Sequence, residues 1–183
     1  MRRIAFAAAL LTTSQHPALA DCSTTATDKF DLLECMIRTG VRPDPVVPVA
    51  GDWLLGTWST DCASLPSRVV YAKDSAGQIV MSTQRRTTDG WETWAEGRLI
   101  GYDMKGSDIQ VTSRIASTGE DAQIAFWLVL IRPIDGAHKR DIEQVRISRP
   151  AGGGPSSQAV VATNGIYTAN GADTPVTERC SIP

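Results

Sequence analysis

Residues 51–62 read GDWLLGTWSTDC: two tryptophans, a Gly-x-Trp step at 56–58 and a cysteine at the end. The stretch decides the fold because the pattern of the chain changes across it. Upstream, residues 24–39 (TTATDKFDLLECMIRT) carry Ala26, Phe30, Leu33 and Ile37 at steps of four, three and four, which is one stripe of a helix. Thr24, Thr25 or Thr27 offers a cap, Asp28 and Asp31 suit the first turns, and Gly40 offers the stop. An amphipathic helix of this kind must lie against something. A stiff connector follows, with Pro43, Pro45 and Pro48 before Gly51.

Downstream of Trp53 the pattern becomes short strands, predicted at 53–61, 68–73, 78–86, 91–102, 107–116, 122–132, 139–149 and 158–168. Compact turn signals separate them: KDSAGQ, TTDGW, DMKGS, STGED and PIDGAHK. The longer RPAGGGPSSQ reads as a surface loop and not a phosphate cradle, since it lacks a lysine and runs into a strand. In the fifth strand Ile109, Val111, Ser113 and Ile115 alternate with Gln110, Thr112 and Arg114. The sixth, IAFWLVLI at 124–131, is apolar on both faces. Ile124, Phe126, Leu128 and Leu130 are expected to point into the core. Trp127, Val129 and Ile131 would then lie outside, under the N-terminal helix. Eight antiparallel strands in a meander are best satisfied by closure, which removes the edges. The fold class is therefore all-β, an eight-stranded up-and-down antiparallel barrel with an N-terminal amphipathic helix; two packed sheets are the alternative.

The opening MRRIAFAAALLTTSQHPALADC has a basic n-region at Arg2 and Arg3, an apolar run at 4–11 and a small-x-small site at 18–20. These are the three parts of a secretory leader. The layout is thus a signal peptide at 1–20, the helix and connector at 21–50 and the barrel at 51–183. No stretch is suited to crossing a bilayer as a helix. A lipid-anchored Cys22 is disfavoured because Asp21, not Gly or Ala, precedes it. Of 18 Lys and Arg, Arg2 and Arg3 leave with the leader, so sixteen basic residues face 20 acidic ones, a net charge of −4. No basic run after the leader is longer than a pair such as Arg85–Arg86, which argues against a nucleic-acid partner. The four cysteines of an exported chain imply two disulfides with three possible pairings. The expected set is a local Cys22–Cys35 clip and a long Cys62–Cys180 bridge. Their spacings contain no C-x-x-C unit, so no metal site is expected.

Catalytic side-chain types are scarce, and no catalytic residue or cofactor is assigned. His138 is the one histidine after the leader and sits in a polar turn near Asp135 and Asp141. Glu92 and Glu96 share a strand face roughly 13 Å apart, too far for a direct dyad. The opposite face carries Trp91, Thr93, Ala95, Gly97, Leu99 and Gly101, whose small members leave space for a ligand or for curvature. Tyr71, Trp91, Thr93 and Leu99 are the expected ligand-lining residues.

GTW at 56–58, on the first strand of this meander, resembles the Gly-x-Trp signature of the lipocalin and calycin group. The resemblance implies a calycin-like barrel with Gly56 and Trp58 as structural residues. Trp58 would plug one end, and a late basic residue, Arg149 or Arg179, would pack on it. Typical lipocalins carry their helix after the barrel, whereas this chain carries one before it. From GTWSTDC at 56–62 to YTANGADTPVTERC at 167–180, the layout is similar to a group of small secreted proteobacterial proteins of unassigned function. Those share a Gly-x-Trp strand ending in cysteine and a closing Thr-Pro-x-x-x-Arg-Cys, and the likeness supports export and the Cys62–Cys180 pairing. The expected function is a non-enzymatic periplasmic or secreted barrel that binds a small hydrophobic ligand. The alternative is a periplasmic protein-interaction or envelope-maintenance module, comparable in body to small lysozyme inhibitors.

Overall fold

Alternating side chains and glycine-bearing turns after Trp58 produce an antiparallel sheet that closes on itself. The computed structural model describes residues 22, 24, 26–39, 51–117 and 122–181. The leader, the proline-rich connector and the turn at 118–121 lie outside the described residues. The strands are β1 (Gly56–Ser59), β2 (Ser67–Lys73), β3 (Ile79–Thr87), β4 (Gly90–Lys105), β5 (Asp108–Ser117), β6 (Gln123–Pro133), β7 (His138–Pro150), β8 (Ser157–Thr163), β9 (Ile166–Tyr167) and β10 (Val176–Cys180). Helix α1 spans Lys29–Thr39, and a single turn, α2, spans Gly51–Leu54 just before β1.

β1 to β7 pair in chain order, and β10 closes the ring by pairing with β1 on one edge and β7 on the other. Eight strands therefore form a closed antiparallel barrel, compatible with a calycin-like fold. The closing strand differs from the sequence expectation. Residues 158–168 are not the eighth stave but a hairpin, β8–β9, which pairs with Gln144–Ser148 at the far end of β7. It reverses at Asn164-Gly165, both left-handed (φ 53° and 75°), the backbone a two-residue primed turn requires. The chain then returns, with the Thr174 hydroxyl donating to the Asp141 carbonyl at 2.6 Å, and β10 takes the near end of the same β7 edge.

Four ladders contain register shifts, and the three within the ring decide which side chains face inward. One falls at Trp94, so that Ala95 opposes Thr83 while Thr93 opposes Gln84. Others fall near Ile100 and Ile142. The faces of β6 are the reverse of those expected. Ala125, Trp127, Val129 and Ile131 lie opposite Ile115, Ser113, Val111 and Ile109 and face the interior. Phe126 is fully enclosed outside the barrel, where it packs with Ile147 against Phe30 of α1, with Leu33 and Ile37 beside it. The helix does cover β6, as expected, but on the other face.

Asp28 is the working cap of α1: its carboxylate accepts from the Asp31 amide at 3.0 Å. The helix is held to the barrel by more than apolar packing. Phe30 meets Phe126 edge-on with centroids 5.1 Å apart, and Arg149 lies over the Phe30 ring at 4.5 Å. Arg149 also bonds Asp31 at 2.8 Å and Asp28 at 3.1 Å, while Arg114 bonds Glu34 at 2.7 Å. Cys22–Cys35 clips the start of this segment to the helix, and Cys62–Cys180 ties the loop after β1 to β10.

Two expected outcomes follow from this packing. Hydrogen bonds from Ser156 and from the Asp31 amide, with Arg149 nearby, hold the Asp28 carboxyl below its ordinary 3.8. The Thr27 hydroxyl and Arg149 do the same for Asp31. Carboxyls depressed in the folded state stabilise docking above the unfolded value and lose that contribution as pH falls through the folded one. Protection of α1 amides from hydrogen exchange should therefore hold from neutrality to about pH 4 and fall below it. Separately, a Cβ on Gly97 would lie 2.3 Å from the Arg114 carbonyl oxygen, a backbone atom of the next strand. Gly97→Ala is expected to cost at least about 2 kcal/mol in urea unfolding; a change under about 0.5 kcal/mol would show that β4 and β5 are farther apart.

Candidate functional site

One end of the interior is closed by Trp58, which is 2% exposed. Its indole nitrogen donates to the Leu54 carbonyl at 2.7 Å, so the α2 turn and the ring fix each other. Arg179 lies opposite Trp58 in the β1–β10 ladder, with its guanidinium carbon 4.9 Å from the ring centroid. It also donates to the Trp53 carbonyl. Gly56 adopts φ +117°, and a side chain there would touch the Arg179 methylenes at 3.6 Å. Arg179 is thus the basic partner of the tryptophan, whereas Arg149 works on the outside, clamping α1. Leu54, Ile109, Val111 and Ile131 complete this packed end, with Tyr71 and Leu99 against them.

A polar group is buried beside the plug. Lys139 is 5% exposed, with its ammonium 5.5 Å from the Trp58 centroid and 3.1 Å from Asp141. The other Asp141 oxygen accepts from Gln144 at 3.0 Å. Burial opposes charge on Lys139, and the adjoining Asp141 and Tyr71 more than offset this, so its pKa is raised. Burial pushes the Tyr71 phenol up. Asp141 is thus the counter-ion that faces the buried Lys139 ammonium.

The other half of the interior is lined differently. Ladder register places Leu99, Ser113, Trp127 and Arg146 in one inward row across β4 to β7, and Met81, Gly97, Ile115, Ala125 and Ser148 in the next. Ala95, Ser113, Ala125 and Ser148 are all buried and all small. Trp127 is the large ring among them, with the Arg146 guanidinium carbon 5.9 Å from its centroid.

The four expected lining residues are thus divided. Tyr71 and Leu99 are interior, packed toward the plug. Trp91 and Thr93 are on the outer surface, because the shift at Trp94 moves them off the face of Ala95. There Gln84 bridges Arg68 and Thr93, bonding them at 2.7 and 3.2 Å, and Arg68 lies 3.9 Å over the Trp91 ring. Glu92 pairs with Arg85 at 2.8 Å, and Glu96 is exposed. His138 has Asp135 2.9 Å from Nδ1 and Glu178 3.9 Å from Nε2. Sequence reading missed Trp127, Arg146 and Ser148. The available signal was the alternation of Gln144, Arg146 and Ser148 with Val145 and Ile147, which puts the polar set on one face.

Comparison of the chain with protein-family models, with curated proteins and with solved structures found no match in any of the three.

Truncating the plug tests the closed end. Trp58→Ala removes a buried ring gripped by Arg179 and Lys139 and should cost about 3–5 kcal/mol by denaturant unfolding. A cost under about 1 kcal/mol would mean that the ring does not close the barrel.

Proposed function

We propose that this protein is an exported, non-enzymatic barrel that holds a small, largely hydrophobic ligand in the half of its interior remote from Trp58. The observation that carries the reading is the patch of small inward side chains, Ala95, Gly97, Ser113, Ala125 and Ser148, spread over four adjacent strands beside Trp127. An eight-stranded barrel either fills its interior with side chains or keeps room for one small molecule. At the plugged end bulky residues do the filling; at the other, small side chains on four strands are interspersed with Leu99, Ile115 and Trp127. The two disulfides indicate an oxidising, extracytoplasmic environment, in keeping with the leader and with a periplasmic or secreted carrier.

Native mass spectrometry of protein purified from its own periplasm tests this. A reproducible non-covalent adduct is expected, and Ala125→Phe, which projects a ring into the same space, should remove it while leaving the fold intact by circular dichroism. Protein that carries no adduct and binds no apolar probe would overturn the reading. A protein-interaction module is favoured instead by the exposure of Val160, Ile166 and Val176 on the three strands at the barrel seam. A stoichiometric complex lost on changing Val160 and Ile166 to serine, with no small adduct, would establish that alternative.

A further inference from the structure

The β3–β4 hairpin outruns its neighbours at the end of the barrel away from Trp58. β3 last pairs with β2 at Arg85, and β4 last pairs with β5 at Ala95, so residues 86–94 form strand rungs only with each other. On the β5 side Gly90–Trp94 are unpaired, a reach of about 17 Å at the rise of an extended strand. Leu99 and Tyr102, farther along β4, pack on the plug cluster, which puts this hairpin end at the opposite rim.

Two tryptophans and three arginines meet there. Trp94 is 46% exposed. Trp91, on the outer surface, has two arginine neighbours: Arg68 is stacked over its ring, and Arg86 is its partner across the ladder. Arg85 is paired with Glu92, whereas neither Arg68 nor Arg86 forms an ion pair among the described residues. Arg68 bonds Gln84 through Nε, and Arg86 bonds the Ser64 carbonyl at 3.4 Å. With three arginines against Asp89 and Glu92, this end carries +1, while the full chain carries −2. An anionic plane would therefore attract the hairpin and repel the rest of the molecule, which sets the direction of approach.

An indole beside arginines suits the boundary between water and lipid. Its ring has an apolar body and a polar tip, and a guanidinium forms charge-assisted hydrogen bonds with phosphate. The groups lie along the end of a two-stranded ribbon, which meets a plane more readily than it encloses a soluble anion. We propose that this hairpin end docks the protein on an anionic phospholipid bilayer, with Arg68 and Arg86 on lipid phosphates and Trp91 and Trp94 at headgroup depth. The surface lies outside the barrel, so the proposal stands apart from the ligand-binding reading: a filled barrel presents the same hairpin.

The test is flotation of the mature protein, disulfides intact, with vesicles of phosphatidylcholine alone and of phosphatidylcholine mixed with phosphatidylglycerol. Partition onto the mixed vesicles is expected to be at least about tenfold stronger and to fall as salt is raised. Arg68→Gln combined with Arg86→Gln should weaken it at least about fivefold, and Trp91→Ser should weaken it on both vesicles. Arg86→Gln alone, which leaves the Arg68–Trp91 stack untouched, should still cost at least about twofold. Arg98→Gln combined with Lys105→Gln removes the same charge from exposed positions elsewhere on β4 and should change binding by less than about twofold. Equal partition onto the two vesicles by the unaltered protein, or none, would overturn the proposal. So would equal losses in the two double variants, which would make net charge and not this hairpin the determinant. Displacement by glycerol phosphate at the same phosphate concentration would assign the arginines to a soluble anion and overturn it too.

Discussion

The barrel depends on a strand of five residues. β10 supplies the pairing that turns a seven-strand meander into a ring, since it alone bonds to both β1 and β7. Within it, Arg179 covers the Trp58 ring and Cys180 is bonded to Cys62 beyond the end of β1. Each device reinforces the others. Without β10, β1 would be a four-residue edge strand with open hydrogen-bonding groups, and Trp58 would lose one of the two cations that flank it. The bridge spans 118 positions of sequence and restrains the unfolded chain by roughly 5 kcal/mol in the chain-entropy account. A short, polar closing strand is stable here because it is covalently held.

Closure at that end leaves the two halves of the interior with different chemistry. Near the plug, large apolar side chains surround a lysine neutralised by Asp141. Away from it, β7 gives up β10 as its neighbour and takes β8, and the inward residues mix small side chains with Met81, Ile115, Trp127 and Arg146. The proposed ligand would lie in this second half, beside Trp127 and the small residues of β5 and β6. The α1 strap, fixed outside by Arg149 and Arg114, stiffens β5 to β7, the strands that carry Ser113, Trp127 and Arg146.

Much of this body was legible in the sequence for definite reasons. The Phe30, Leu33 and Ile37 stripe has one strong structural solution, a helix docked by that face, and the structure adopts it; the even cysteine count gave two disulfides, and of the three possible pairings the local clip and the long bridge form. The errors have physical causes too. IAFWLVLI is apolar on both faces, so alternation cannot say which face is inside; the answer depends on α1 binding Phe126. Trp91 and Thr93 were misplaced by one extra residue at Trp94, since a bulge shifts the two-residue period of everything before it. VTERC carries too little apolar character to announce itself as a strand, and only its pairing with β1 and β7 reveals it. Asn164-Gly165 was the overlooked signal, a two-residue turn inside what read as one strand.

The most direct measurement of the central claim is a high-resolution crystal structure of the protein taken from its native compartment without delipidation. The account predicts density for a small molecule inside the barrel, lying along Trp127 beside Ser113 and Ala125. An interior filled to contact by the protein's own side chains would contradict it.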